Sequence, residues 1–145
     1  MKIPLKFVDG RLVVNAIIFS PHYHFGASPI IFIVDTGSDA TFISESDALR
    51  LQISLNALTL IEVFQMAGAK YKLLQGKEGS LYFKTEENKS LRIEIQTIPL
   101  AKSTSKKEQH DSGFPSILGT DFLIKNNISL YFNPKKNLMY LEKEE

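Results

Sequence analysis

A single carboxylate follows directly on an apolar stretch of the chain. Residues 29–34, PIIFIV, are typical of a buried strand, and Asp35, Thr36, Gly37 and Ser38 come next. Burying a carboxylate costs several kcal/mol unless hydrogen bonds or a partner compensate, so an aspartate in this place indicates a functional group. The small residues behind it allow a tight turn whose N–H groups reach the carboxylate, and the Ser38 hydroxyl is expected to donate one more hydrogen bond. The alternative is a turn aspartate that only caps local N–H groups.

The tripeptide by itself is a weak signal. An Asp followed by Ser or Thr and then Gly is expected by chance in about one chain in twenty of this size. Asp111, Ser112 and Gly113 form a second copy, but a charged segment, KKEQH, precedes it in place of an apolar strand. We therefore interpret the second copy as an ordinary turn.

The elements that must position Asp35 are mostly strands. Apolar residues recur with a short period, and turn residues interrupt them roughly every eight to twelve positions, which predicts a mostly β fold. Strands are predicted at 6–8, 11–19, 29–34, 58–64, 70–74, 80–83, 91–98, 114–119, 128–132 and 138–142. The strands between 58 and 98 are interpreted as consecutive hairpins. Residues 101–113 are polar throughout and are predicted to form a long exposed loop.

Two short helices complete the pattern. Ser44, with Asp47 three residues later, is typical of a helix N-cap followed by an acidic first turn. A second short helix is predicted at 120–126. The aromatic residues of the last hairpin have strand spacing and are expected in the core; they are Tyr131, Phe132 and Tyr140.

Length and composition restrict the classes of function. The chain has 145 residues, which predicts one domain over 1–145. With 17 Lys and Arg against 16 Asp and Glu the net charge is +1, too little for the counterion release on which nucleic-acid binding relies. The absence of cysteine excludes disulfides, thiol nucleophiles and cysteine-ligated metals. Charged residues interrupt the N-terminal segment, which therefore lacks the continuous apolar stretch of a secretory signal. The purest apolar run, 30–34, is far shorter than the roughly 20 residues that span a bilayer. We expect a soluble cytoplasmic protein without nucleic-acid or membrane partners.

A second apolar motif lies far downstream of Asp35. Ile117, Leu118 and Gly119 are followed by TDFL. Together with the strand before Asp35 and the capped helix after it, this motif resembles the retropepsin-like aspartic proteases, the single-lobe family of the retroviral proteases and their cellular relatives. The resemblance covers about residues 6–141 and implies a single-lobe acid-protease β-barrel that functions as a twofold homodimer.

The resemblance implies a role for each residue that matches the family's motifs. Asp35 corresponds to the catalytic carboxylate, and Thr36 to the residue whose hydroxyl bonds to the opposite subunit's loop. Gly37 would lie against the substrate backbone, and Asp39 falls where acidic residues of the family bind substrate main chain. Gly119 would give a close backbone approach beneath the Asp35 loop that a side chain would block.

The family's flap corresponds to a hairpin tip at Met66, Ala67, Gly68 and Ala69. The candidate walls of apolar subsites are Ile33, Phe42, Phe114, Pro115 and Ile117. One departure is clear: retroviral enzymes usually place Arg after the downstream glycine, where it pairs with the acidic residue of the first motif. Thr120 and Asp121 follow Gly119 here, so that ion pair cannot form. The chain is closer in this respect to the cellular and prokaryotic relatives.

The chemistry that the family performs needs two carboxylates that share one proton, because like charges about 3 Å apart cannot both ionise. This chain supplies one, so the second Asp35 is expected from an identical subunit. The chain termini, MKIPL and LMYLEKEE, are candidates for the dimer sheet, as in the retroviral relatives. The expected function is that of an aspartic endopeptidase that cuts extended polypeptides at bulky apolar residues, without a cofactor or metal.

Two alternatives from other classes remain at this point. The first is a non-catalytic dimeric peptide-binding module with the same fold. The second is a metal-dependent hydrolase that uses His22 and His24, which would share a face on a strand, although no third ligand is nearby in sequence. His22 and His24 are more simply solvated loop residues.

Overall fold

The computed structural model describes residues 1–66, 68–104 and 115–144. Three sheets and two short helices make up this part of the chain. The strands are β1 (Lys2–Pro4), β2 (Lys6–Val8), β3 (Arg11–Phe19), β4 (Ser28–Val34), β5 (Thr59–Met66), β6 (Ala69–Gln75), β7 (Gly79–Lys84), β8 (Ser90–Ile95), β9 (Pro99–Ser103), β10 (Ser116–Leu118), β11 (Ile128–Asn133) and β12 (Leu138–Lys143). The helices are α1 (Glu45–Arg50) and α2 (Thr120–Lys125), and a short 3-10 helix covers Pro134–Lys136.

The central sheet carries the Asp35 strand in its interior. Its order is β10-β4-β3-β7-β8, and β2 adds to β3. Strand β4 alternates between the two faces of the sheet, with Ile30, Phe32 and Val34 buried and Ile31 exposed. Its neighbour β10 runs parallel to it and pairs Leu118 with Val34, at the point where the chain enters the Asp35 turn. Strand β4 is therefore paired on both sides, up to Ile33 on the β3 side and up to Val34 on the β10 side.

A second sheet, in the order β5-β6-β9, places a long hairpin beside the central sheet. Strand β9 begins at Pro99, so residues 101–103 belong to a strand, and the prediction of a loop from 101 is wrong for them. The reason is alternation: Ala101 and Ser103 are buried while Lys102 lies between them, which hides a strand inside a polar composition. The rest of the predicted loop, 105–113, lies outside the described residues.

The prediction of consecutive hairpins holds for two of the three connections. β5 pairs with β6, and β7 pairs with β8. Strands β6 and β7, however, are in different sheets, because β6 pairs with β9 and β7 pairs with β3. Residue order alone does not reveal such a change of sheet.

The third sheet, which we call the terminal sheet, joins the two ends of the chain in the order β1-β12-β11. The two candidate dimer segments, at the chain ends, thus pair with each other inside one chain, with Ile3 opposite Leu141. The expectation that the last hairpin's aromatics lie in the core is wrong for two of them. Tyr131 is 39% exposed and Phe132 is 47% exposed.

The two helices are short and lie next to the central motif. Ser44 caps α1 as the sequence predicts, with its hydroxyl oxygen accepting from the Asp47 N–H at 3.1 Å. Helix α2 begins directly after Gly119 and buries Phe122 and Leu123. Among the described residues, no helix has the length and apolar character needed to cross a membrane.

Candidate active site

Strand β4 ends in a turn that fixes the Asp35 backbone on two sides and one oxygen of its carboxylate. The Asp35 N–H donates to the Leu118 carbonyl at 3.0 Å, which extends the parallel β4–β10 pairing by one residue. The Asp35 carboxylate accepts from the Gly37 N–H at 2.9 Å, and the Asp35 carbonyl accepts from the Ser38 N–H at 3.1 Å. Asp35 is half-buried, whereas Thr36 and Gly37 are exposed. The turn therefore presents a fixed, accessible carboxylate oxygen.

The Ser38 side chain supports the turn by a different route from the expected one. Its hydroxyl donates to the Ala40 carbonyl at 2.7 Å and not to the Asp35 carboxylate. Its carbonyl accepts from the Thr120 N–H at 2.9 Å and from the Thr120 hydroxyl at 3.3 Å. Ser38 thus ties the turn to the start of α2 through its carbonyl, while its side chain stabilises its own loop.

Gly119 lies beneath this turn with no room for a side chain. A Cβ atom built there would lie 2.7 Å from the carbonyl oxygens of both Ser38 and Ala40. Real Cβ contacts are never this short, and both neighbours are backbone atoms that cannot swing away. The close approach that the resemblance implied for Gly119 is thus a feature of this chain's packing.

An acidic residue that the sequence analysis noted only as a departure braces the loop. Asp121, on α2, accepts from the Thr41 hydroxyl at 2.6 Å and from the Thr41 N–H at 3.2 Å. The Thr41 hydroxyl oxygen in turn accepts from the Gly119 N–H at 2.8 Å. The three residues form a chain of hydrogen bonds between the end of the Asp35 loop and α2. The bonds to the Asp121 carboxylate are charge-assisted, and such bonds are stronger than those between neutral groups. Asp121 could have been found as a carboxylate in a first helical turn, but nothing in the sequence marks Thr41.

Phe42 departs from the expectation that it forms a subsite wall. It is completely buried and pairs with Ile117 through two backbone hydrogen bonds, of 3.0 and 2.9 Å. Its ring packs on Phe64 of β5 at 5.3 Å between centroids. Phe42 therefore supports the hairpin and the β10 strand from within, where a substrate would have no access.

One side of Asp35 opens into a groove of about 610 Å³, which we call the apolar groove. Three of the expected walls, Ile33, Pro115 and Ile117, line it. The remaining lining residues are Phe7, Gly10, Arg11, Leu12, Val34, Asp35, Thr36, Met66, Leu130 and Phe132. Sequence reasoning missed the contribution of β2, β3 and β11, because only the tertiary structure brings these strands to the carboxylate.

The other side of Asp35 opens into a smaller pocket of about 280 Å³, which we call the acidic pocket. Asp39 lines it, as does Glu62 of β5. The remaining lining residues are Asp35, Gly37, Ser38, Ala40, Phe64, Gln65 and Met66. Asp35 and Met66 line both cavities, so the carboxylate lies at their junction with the end of β5 beside it.

The β5–β6 hairpin has the form expected of a flap. Met66 pairs with Ala69 across its tip, and Gly68 has φ +80°, a left-handed conformation that glycine adopts without strain. Nothing lies within 4 Å of the position that a Gly68 Cβ would take, so the tip faces open space. Two expected residues, Ala67 of the tip and Phe114 of the subsite walls, lie outside the described residues.

The histidines considered as metal ligands are in the loop between β3 and β4. His22 Nε2 lies 3.0 Å from Glu78 Oε1, and both side chains are exposed. Within the described part of the chain, no group of three or more His, Cys, Asp or Glu side chains is arranged to hold a metal ion. Asp111, which belongs to the second tripeptide, lies outside that part.

A comparison with known proteins matches the segment of the chain that contains Asp35. A family model described as aspartyl protease matches residues 22–122, from the loop before β4 to the start of α2. The chain belongs to the aspartyl protease family. Its matched region contains Asp35 and Met66 of the β5–β6 hairpin, which line both cavities, and it contains Gly119 beneath the Asp35 turn.

The fold of this aspartyl protease family member is also found among solved structures. A retropepsin-like aspartic protease from Rickettsia conorii matches with a TM-score of 0.55 and 21% identity, over 97% of this chain and 88% of that one. The mostly β, retropepsin-like fold that the sequence predicts is thereby confirmed. No curated protein matches this chain significantly.

Proposed function

We propose that residues 1–145 form one protease domain that acts as a homodimeric aspartic endopeptidase, with Asp35 of each subunit in a shared site. The observation that carries the proposal is the position of Asp35: a fixed, accessible carboxylate at the junction of two cavities, in a chain of the aspartyl protease family. Each chain contributes one such carboxylate. A second copy related by a twofold axis supplies the other.

In the proposed mechanism the two carboxylates share one proton, because they cannot both ionise at close range. The ionised carboxylate accepts a proton from a water molecule, whose oxygen bonds to the carbonyl carbon of the scissile peptide. The protonated carboxylate donates its proton to the carbonyl oxygen, which gives a neutral tetrahedral gem-diol. The carboxylate that took up the water proton passes it to the leaving nitrogen as the C–N bond breaks. One gem-diol hydroxyl then returns its proton to the other carboxylate, which restores the pair.

The two cavities suggest how an extended polypeptide would lie. One flanking side chain would enter the apolar groove, in agreement with the preference for bulky apolar residues expected from sequence. The acidic pocket adds a feature that the sequence did not indicate, since Asp39 and Glu62 lie beside the apolar side chains of Phe64 and Met66. Exposed Gly37 lies where substrate backbone would pass between the Asp35 turn and the end of β5. The cytoplasmic location stays a prediction.

The first prediction concerns Asp35 itself. We expect Asp35→Asn to lower kcat on peptide substrates by about 10³-fold or more, because an amide neither takes up nor shares the proton. A mixed peptide library digested at several pH values and read by mass spectrometry measures activity and cleavage preference together. The wild-type profile should fall at both extremes, where both carboxylates are protonated or both are ionised.

The control for Asp35→Asn is the folded state. The variant keeps an acceptor oxygen for the Gly37 N–H, so its circular dichroism and its sedimentation should match those of the wild type. Full cleavage by Asp35→Asn would show that the catalytic assignment is wrong. Binding of pepstatin-type peptides by the wild type without turnover at any pH would instead favour the peptide-binding module.

A further inference from the structure

We propose that a third cavity, of about 590 Å³, binds a bulky apolar side chain of the polypeptide substrate at a distance from the scissile bond. We call it the outer pocket. Its lining includes Val8, Asp9, Val13, Ile31, Asp47 and Ser116. The inference rests on the proposed protease function, because it names a more distant part of the same substrate chain as the occupant.

The outer pocket is continuous with the apolar groove. Arg11, Ile33 and Pro115 line both cavities, whereas Asp35 lines the groove alone. A polypeptide that leaves the groove past these three side chains therefore enters the outer pocket. A groove of about 610 Å³ is about 8 Å across, which corresponds to roughly two or three residues of extended chain. We expect the residue that reaches the outer pocket to lie about three to five positions from the cut.

The floor of the outer pocket is apolar and accessible. Ile31 of β4 is 58% exposed and Val8 of β2 is 49% exposed, although β4 lies inside the central sheet. Strand β4 has β3 on one side and β10 on the other, so a ligand cannot add to it as a further strand. Recognition here must therefore use side chains, and an apolar side chain matches the floor.

The polar wall of the outer pocket has its hydrogen bonds made within the chain. The Ser116 hydroxyl donates to the Asp47 carboxylate at 2.6 Å and accepts from the Ser44 N–H at 2.9 Å. Ser116 and Ser44 are both buried. Because these groups already satisfy one another, the wall offers little to a polar ligand and adds no unpaired group that an apolar side chain would cover.

The charged groups around the outer pocket balance one another. Asp9 and Arg11 both line it, and Asp47 forms an ion pair with Arg50 at 3.1 Å. The pocket therefore carries no surplus of one sign that would select a charged substrate residue. In the proposed homodimer each subunit carries one outer pocket, so residues on either side of the cut can be recognised.

A leucine scan of peptide substrates tests this inference. The peptides share the residues around the cut and carry one flanking leucine, which is moved from about the third to about the eighth position on either side. Serine fills the other flanking positions, and a peptide without the leucine is the reference. We expect kcat/KM to rise about tenfold at one or two neighbouring positions, through a lower KM with kcat little changed, because this contact is remote from the reacting bond. Mass spectrometry verifies that every peptide is cut at the same bond.

Variants of the pocket floor assign the leucine effect to its place. The double variant Val8→Thr, Ile31→Thr makes the floor more polar and keeps branched side chains in both strands. In this variant the ratio of kcat/KM between the best leucine peptide and the reference should fall from about ten to about one. Ile17→Thr is the matched control, since Ile17 of β3 is 38% exposed and lines neither the outer pocket nor the two cavities at Asp35. Ile17→Thr should keep the full ratio.

The outcomes separate the outer pocket from the catalytic proposal. Cleavage of the reference peptide with no leucine effect at any position overturns the outer pocket and leaves the protease function standing. A leucine effect that the double variant retains also overturns it, because the leucine then binds elsewhere. A double variant that loses stability in urea but keeps the ratio shows that another segment of this chain fills the pocket, which again overturns the inference.

A protein that cleaves no peptide at any pH overturns the proposed function but still tests the pocket. Isothermal titration calorimetry then compares the leucine peptides with the reference peptide as ligands. Tighter binding of one leucine peptide that the double variant abolishes, and that Ile17→Thr keeps, supports the outer pocket. Equal binding of all the peptides overturns it.

Discussion

At the scale of single residues, the Asp35 loop is held by hydrogen bonds from a part of the chain far away in sequence. Leu118, Gly119 and Thr120 all contact it, through the Asp35 N–H, through close packing and through the Ser38 carbonyl. Asp121 completes the arrangement through Thr41, 80 residues away. The ion pair of the retroviral enzymes is absent. The hydrogen bonds from Gly119 to Thr41 and from Thr41 to Asp121 join the same two segments of the chain instead.

The prediction at this scale concerns Asp121. Asp121→Ala removes three acceptor contacts, two from Thr41 and one from the Phe122 N–H, and leaves partly buried donors unpaired. We expect the free energy of unfolding in urea to fall by about 2 kcal/mol. If the loop loses its support, kcat on a peptide substrate should fall by about tenfold with KM little changed.

Two conservative changes serve as controls for Asp121→Ala. Thr41→Ser keeps the hydroxyl between Asp121 and Gly119 and should retain most activity, whereas Thr41→Val removes it and should resemble Asp121→Ala. A drop in stability with an unchanged kcat in both Asp121→Ala and Thr41→Val would assign the network to folding alone.

At the scale of elements, a parallel strand pair and a hairpin enclose the site. Strands β4 and β10 bring Asp35 and the Ile117–Gly119 segment side by side, and the β5–β6 hairpin places Met66 at both cavities. The hairpin turns at Gly68, whose positive φ suits glycine and strains other residues. The hairpin's conformation is therefore sensitive to a substitution that makes no new contact.

The corresponding prediction compares two glycines. Gly68→Ala introduces left-handed strain at the tip, which should cost about 1 kcal/mol and lower kcat/KM about fivefold if substrate binding requires this turn. Gly26 is a matched control, since it also has a positive φ and nothing within 4 Å of a built Cβ, but lies in the loop before β4. Gly26→Ala should show the same loss of stability in urea with unchanged kcat/KM. Equal kinetics for the two variants would exclude a role for the tip.

At the scale of the whole molecule, the chain is half of the proposed enzyme. Its charge is nearly balanced at +1, so long-range repulsion between copies is weak. Leu130 and Phe132 of the terminal sheet line the apolar groove, and the Asp35 turn leaves Thr36 exposed. Activity is therefore expected to follow the population of dimers.

Subunit mixing tests this expectation without altering the interface. Wild-type chains incubated with a threefold excess of Asp35→Asn chains should retain about a quarter of their activity, because random exchange pairs about one wild-type chain in four with another. The loss should develop over the time of subunit exchange. A loss that is complete on mixing would reflect substrate binding by the variant, and no loss after dissociation and reassembly would contradict a site shared between subunits.

Local patterns in the sequence were sufficient to predict the mostly β fold class, the position of Asp35 at the end of a strand and both helices. A period of two, a Ser44 cap and small residues after a carboxylate are read from neighbouring positions, and backbone sterics act at that range. Gly119 was singled out by the resemblance to the retropepsin-like family, since an apolar strand ending in glycine does not by itself indicate what lies above it. The untested assignments, such as Asp35 as the catalytic group, remain predictions of that pattern and of family membership.

The tertiary structure decided what depends on residues far apart in the chain. Phe42 is aromatic and next to the motif, yet its burial follows from the packing of β5 and β10 around it. Tyr131 and Phe132 have the same strand spacing in a core sheet and in a surface sheet, and only the tertiary structure shows that both are exposed. The Thr41–Asp121 bond spans 80 residues. Periodicity identifies which side chains share a face of a strand. It does not identify the residues that pack against that face, because those contacts depend on how the sheets pack on one another.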